Sequence, residues 1–198
     1  MGNLKILQFE AISLNADIFK FSNQHIFKLS TVNLLELFAP ITTFIFDIDG
    51  VLTDGSLHLT EDGHMLRTMN IKDGYALQLA VKKGYKVWVI SGGKSEGAKI
   101  RLNKLGVNEV YIGVENKIVL LEGLAMTFDV PTEQMLYMGD DIPDYEAMQL
   151  CGLPTCPNDA VPEIKQVAKY ISPFLGGKGC VRDVIEKVLK LNGHWDLL

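Results

Sequence analysis

The chain is 198 residues long, enough for one domain with an appendage at about 150 residues per domain. Its 47% apolar and 22% charged residues give it a core to bury and exclude a disordered or fibrous class. A net charge of −5 offers no basic stripe for nucleic acid, so an anionic substrate must meet local cations, helix N-termini or a metal.

Residues 1–38 form an N-terminal extension whose role the sequence leaves open. Phe9, Ile12, Phe19, Phe21 and Phe27 argue against a disordered tail, yet no period organises them. Glu10, Asp17, Lys20 and Lys28 interrupt each apolar run, so neither a signal-peptide core nor a membrane span is expected. Cys151, Cys156 and Cys180 make no CxxC pair and are odd in number, which speaks against a disulfide framework or a zinc site. The expectation is a soluble, cytoplasmic protein without membrane or nucleic-acid partners. Asn33–Phe38 reads as a short helix stopped by Pro40.

From residue 39 to 198 the pattern is that of one α/β domain. Ile41–Phe46 is a continuous apolar run ending in acids, as a buried parallel strand does. Ser56–Leu59 and Met65–Ile71 flank Glu61-Asp62-Gly63 as a hairpin, at about 56–71. A helix over Gly74–Lys83 ends at Gly84, a strand runs over Lys86–Ile90, and a helix over Glu96–Leu105 closes at Gly106. Glu109–Ile112 and Met135–Met138 are further strands around an Asn116–Phe128 helix. Asp144–Leu150, Val161–Val167 and Val181–Leu191 read as helices, Leu153–Cys156 and Tyr170-Ile171 as strands. Strands alternating with helices predict a three-layer, doubly wound, mostly parallel sheet.

Ligands of such sheets bind beyond the carboxyl ends of the strands. Asp47 and Asp49 follow the first strand, Ser91 the second, and Asp140, Asp141 and Asp144 the fourth; Lys117 opens the helix after the third. Singly, each has a plainer reading: a turn, a helix cap or a solvated lysine. Together they are what phosphoryl transfer needs, namely an anionic nucleophile, a hard cation and fixed donors to the transferring oxygens. An all-oxygen donor set favours Mg²⁺ over softer metals.

Asp47-x-Asp49-Gly50-Val51-Leu52-Thr53-Asp54-Gly55, Ser91-Gly92, Lys117 and Gly139-Asp140-Asp141-x-x-Asp144 resemble the four motifs of the haloacid dehalogenase superfamily of phosphatases, over about residues 41–192. The resemblance implies that Asp47 attacks phosphorus and that Asp49 acts as general acid and then base. It places Mg²⁺ on Asp140, the Asp47 carboxylate and the Asp49 carbonyl, with Asp141 and Asp144 as auxiliary groups. Only about forty residues separate Asp49 from Ser91, too few for an independent cap domain, so the hairpin stands in its place.

Asp73-Gly74, Val114-Glu115-Asn116-Lys117 and Gly176-Gly177-Lys178-Gly179-Cys180-Val181-Arg182 narrow the resemblance to the capless family of octulosonate 8-phosphate phosphatases. That family implies a phosphorylated sugar acid as substrate and a homotetramer in which a glycine-rich tail approaches a neighbour's site. Gly92, Asp73, Gly74, Lys94, Lys178 and Arg182 become candidates for substrate binding. Where such relatives carry Arg after the second-motif glycine, and those for nine-carbon keto-sugar acids carry Glu, this chain has Gly93. Lys94, Arg101 or Lys104 is then expected to recognise the anion. A receiver-type phosphoacceptor domain is the rival from another class, but its acidic residues follow another order; an inactive scaffold is disfavoured because every chemical position is filled.

Overall fold

A computed structural model describes residues 34–107 and 109–195. The expected extension therefore lies outside the described residues up to residue 33. The short helix before Pro40 is present as α1 (Leu34–Phe38), and β1 (Thr43–Phe46) follows with all four residues buried. The hairpin consists of β2 (His58–Leu59) and β3 (Met65–Leu66), antiparallel, with His58 opposite Leu66. Next come α2 (Ile71–Lys82), β4 (Lys86–Ile90), α3 (Glu96–Lys104), β5 (Glu109–Tyr111) and α4 (Lys117–Phe128). The chain continues through β6 (Met135–Met138), α5 (Tyr145–Leu150), β7 (Leu153–Cys156), α6 (Pro162–Val167), β8 (Tyr170–Ile171) and α7 (Cys180–Leu191).

Two neighbouring expected elements change. The strand expected over Met65–Ile71 stops at Leu66, and α2 starts at Ile71 instead of Gly74. The reason is Asn70: its side chain accepts the N–H of Lys72 at 2.8 Å, an N-cap that converts residues 71–73 into the first helical turn. Asp73 then sits in that turn, where negative charge suits the helix dipole.

The main sheet has the order β5-β4-β1-β6-β7-β8, and all five pairings are parallel. Side chains alternate across it. Phe44, Phe46, Val87, Val89, Leu136 and Met138 face the layer of α2, α3 and α7, whereas Ile45, Trp88, Ile90 and Tyr137 face α4, α5 and α6. Each fully buried large side chain contributes about 1.5–3 kcal/mol of apolar transfer, which is why these continuous runs end up covered on both faces. The chain winds outward from β1 through β4 to β5, then returns to β6 on the other side of β1. That reversal opens a crevice at the carboxyl ends of β1 and β6, next to Asp47 and Gly139-Asp140.

Candidate active site

After β1 the backbone makes a wide turn over Ile48–Leu52, closed by the Thr53 N–H to the Ile48 carbonyl at 3.0 Å. Asp47 precedes it, and its Oδ1 accepts the Ile48 N–H at 2.7 Å. Gly50 has φ +88°, and a Cβ there would lie 2.0 Å from Asp140 Oδ2. A side chain at this position is excluded twice, by backbone conformation and by the approach of the loop after β6.

Lys117, opening α4 behind its Asn116 cap, lies 3.1 Å from Asp47 Oδ2 and 2.7 Å from Asp144 Oδ1. The Tyr137 hydroxyl donates to Asp144 Oδ1 at 2.8 Å, and the Asp140 N–H reaches Asp144 Oδ2 at 3.2 Å. Both oxygens of Asp144 are thus engaged, which makes it a brace for Lys117 rather than an open donor. Asp140 Oδ1 is different: it is buried and has no hydrogen-bond partner. Asp47, Asp140 and Asp144 each bring an oxygen within 4.8 Å of the others. Three carboxylates against one ammonium leave an excess of negative charge out of water, a situation that a hard cation relieves.

The titration behaviour says the same. Burial, then the Asp144 charge, push Asp47 up to about 6 against the pull of Lys117 and the Ile48 N–H. Burial, then Asp47, Asp144 and Asp141, push Asp140 up to about 8. Burial works against the charge on Lys117, but Asp47 and Asp144 outweigh it and hold the ammonium above its ordinary value. A buried acid that close to neutrality, with an oxygen lacking any donor, fits a cation ligand.

Asp49 points to the hairpin side. Arg67, just past β3, grips it with two bonds, Nε to Oδ1 at 2.6 Å and Nη2 to Oδ2 at 3.0 Å. Ser91 is buried, and its Oγ accepts the Gly93 N–H at 3.2 Å. Arg67, Lys94, Arg101, His64 and Glu96 line a cavity of about 830 Å³ between the hairpin and the start of α3. Among the described residues neither Lys94 nor Arg101 enters an ion pair.

The remaining candidates are placed elsewhere. Asp141 is exposed and caps the short turn Ile142–Asp144 through the Ile142 N–H at 2.8 Å. Gly92 lies exposed in the loop before α3. Asp73 is buried and accepts the N–H groups of Gly179 (3.2 Å) and Arg182 (2.7 Å), holding the start of α7. Gly74 lets Arg101 and Leu105 pack on α2. The glycine-rich segment is anchored on its own chain by the Gly177 N–H, which donates to the Val51 carbonyl at 2.9 Å. Lys178 accordingly pairs with Asp54 at 3.3 Å, and Arg182 pairs with Glu186 at 3.1 Å and lies over the Trp195 ring. Sequence reasoning missed Arg67 and Tyr137. A tyrosine inside the apolar run before Gly139 was a readable signal; the partner of Arg67 was not.

A parallel α/β sheet with acids and a lysine converging at the carboxyl edge of β1 and β6 is the arrangement that phosphoryl transfer requires. The family model for haloacid dehalogenase-like hydrolases matches residues 109–176. The 3-deoxy-D-manno-octulosonate 8-phosphate phosphatase KdsC of Escherichia coli (strain K12) is 33% identical over 156 residues, which are 79% of this chain and 83% of that protein. The crystal structure of the 3-deoxy-D-manno-octulosonate 8-phosphate phosphatase from Yersinia pestis has a TM-score of 0.80 at 31% identity, covering 82% of this chain and 88% of the other. That of the Moraxella catarrhalis phosphatase, in complex with magnesium ion, phosphate ion and KDO, has 0.78 at 28%, covering 81% and 92%. The chain belongs to the haloacid dehalogenase-like hydrolases and groups there with the octulosonate 8-phosphate phosphatases. It is a phosphoric monoester hydrolase.

Proposed function

We infer that the protein is a Mg²⁺-dependent phosphatase that hydrolyses a sugar-acid phosphate monoester, 3-deoxy-D-manno-octulosonate 8-phosphate in first place, through an aspartyl phosphate on Asp47. The observation that carries this reading is the partnerless, buried Asp140 Oδ1 beside an Asp47 that is tied to Lys117. Asp47, Asp140 and the Asp49 backbone carbonyl are the oxygens that would hold the ion, which supplies charge neutralisation for an anionic nucleophile and an anionic ester.

The chain's own groups do the rest. Lys117 keeps Asp47 ionised and in place, because its second bond, to Asp144, prevents the ammonium from drifting. Asp47 attacks phosphorus, and Asp49 gives a proton to the departing oxygen. Water then attacks the aspartyl phosphate while Asp49 takes its proton. Ser91, whose oxygen accepts from Gly93, has its own hydrogen left to donate to a phosphoryl oxygen.

The cavity beside Asp49 supports an acidic sugar: it is of small-ligand size, and it is lined by Lys94 and Arg101, which form no ion pair among the described residues. Leu57, Leu59, Met65 and Leu66 are exposed on and beside the hairpin, which supports burial against other copies in a homotetramer. Three buried, unpaired cysteines suit a reducing cytoplasm, and among the described residues no helix is long and apolar enough to cross a membrane.

A phosphate-release screen over octulosonate 8-phosphate, nine-carbon keto-acid phosphates and hexose phosphates tests the reading. The octulosonate ester is expected to lead in kcat/KM by about tenfold or more. A lead for the nine-carbon esters would reassign the substrate, and equal turnover of hexose phosphates would remove the sugar-acid assignment. Asp47→Asn should abolish release without unfolding the protein; retained turnover would falsify the nucleophile.

A further inference from the structure

Arg67 and Gly93 have no part in the reaction as described so far, yet they meet at its acid/base. Arg67 is only 10% exposed. Its Nε and Nη2 take the two oxygens of Asp49, and its Nη1 donates to the Met65 carbonyl at 3.1 Å. A two-bond fork fixes the plane of a carboxylate as well as its position, and the third bond fixes the fork to the hairpin backbone. The fork uses one lone-pair direction on each Asp49 oxygen and leaves others open to a hydrogen bond with a reactant. The Asp49 side chain is 34% exposed, so the fork does not close it off from solvent.

Gly93 explains itself from the same geometry. A Cβ at this position would stand 2.8 Å from Asp49 Oδ2, 3.4 Å from Arg67 Nη2 and 3.5 Å from Ser91 Oγ. The Asp49 carboxylate, as the fork holds it, takes the space that a Cβ at 93 would need, and Arg67 and Ser91 border that space.

We propose that Arg67 is a positioning residue of the reaction: it sets the Asp49 carboxylate for its two proton transfers, and position 93 carries no side chain so that the pair can form. The inference rests on the phosphatase reading above. In the first half-reaction an Asp47 oxygen bonds to phosphorus, the bond to the leaving oxygen breaks, and that oxygen takes a proton from Asp49. In the second, water bonds to phosphorus and passes a proton to Asp49 as the bond to Asp47 breaks. p-Nitrophenolate leaves without needing a proton, so with p-nitrophenyl phosphate Asp49 matters only in the second half.

Arg67→Ala should therefore show a burst of about one equivalent of p-nitrophenol per enzyme followed by turnover slowed about 10- to 100-fold, with KM little changed. The stalled enzyme should gain the mass of one phosphoryl group. Added guanidinium should speed the second phase, and Arg67→Lys should keep an intermediate rate because an ammonium cannot fork. Gly93→Ala should give the same burst, and combining it with Arg67→Ala should add little. Equal slowing of both phases without rescue would show a merely structural arginine and overturn the proposal. A raised KM with kcat unchanged would make Arg67 a substrate-binding cation and overturn it too. Wild-type enzyme that releases no phosphate from any ester would instead remove the phosphatase reading itself, whatever the variants do.

Discussion

A Cβ on Gly50 would fall 2.0 Å from Asp140 Oδ2, so the loops after β1 and β6 approach each other only because residue 50 has none. Gly50 also sits at φ +88°, a conformation that costs other residues about 1–3 kcal/mol. Gly50→Ala is expected to displace Asp140 from Asp47 and to lower kcat by about 100-fold, the scale of a misplacement near 1 Å. Steady-state kinetics with p-nitrophenyl phosphate checks this; activity within threefold of wild type, about 0.7 kcal/mol, would show that the two loops part without consequence.

Asp140→Asn separates function from stability. Its carboxyl is pushed up to about 8 by burial and then by the charges of Asp47, Asp144 and Asp141. Without metal the folded protein must either keep this acid protonated or bear a buried charge, a cost that an amide removes. The variant's melting temperature without metal should rise, by about 2–4 °C for each kcal/mol relieved. Mg²⁺ should no longer raise it, and phosphatase activity should vanish. Differential scanning fluorimetry with and without Mg²⁺ reads both; a metal-free variant less stable than wild type would mean that Asp140 holds the fold rather than an ion.

The same two acids give the metal-free protein a distinctive pH response. Asp47 at about 6 and Asp140 at about 8 both lie above the ordinary 3.8, so between those values the native state holds more protons than the unfolded chain. Stability then falls as pH rises through that window. Asp54 and Glu186 are shifted the other way, and their influence lies at more acid pH. EDTA-treated protein should melt higher near pH 5 than near pH 8.5, and Mg²⁺ should raise the melting temperature more at the higher pH, where the ligands are charged. A flat profile after chelation would contradict the burial of this acid cluster.

How far these features were legible in the sequence follows from their range. Ile45, Trp88 and Tyr137 sit in short apolar runs that end at Asp47, Ser91 and Gly139, and such runs announce buried parallel strands with chemistry at their ends. Asn116 marks a helix start in the same local way. Asn70 did not, because Met69 and Ile71 around it look like strand, and the cap decides only once the chain has turned. Arg67 was invisible for a different reason: its fork closes on Asp49, eighteen positions away, across a hairpin whose register no local pattern sets. Gly93 looked like a blank position for want of that partner.

Asp73 is the last case, and here the sequence pointed to the substrate while the structure points to the chain itself. The carboxylate is buried, and both oxygens accept backbone N–H groups, Oδ2 from Gly179 and Oδ1 from Arg182 at the start of α7. α7 in turn covers one face of the sheet and packs on α2, the helix that carries Asp73. Asp73→Ala leaves these two donors near the protein interior without acceptors, at about 1–3 kcal/mol for each unsatisfied group. Urea unfolding should show a midpoint lowered accordingly, with the slope unchanged because the surface exposed on unfolding is the same. Asp73→Asn should recover part of the loss, since the amide oxygen accepts one of the two N–H groups. If Asp73→Ala unfolds at the wild-type midpoint while KM rises, the carboxylate serves the substrate and the tie to α7 is incidental.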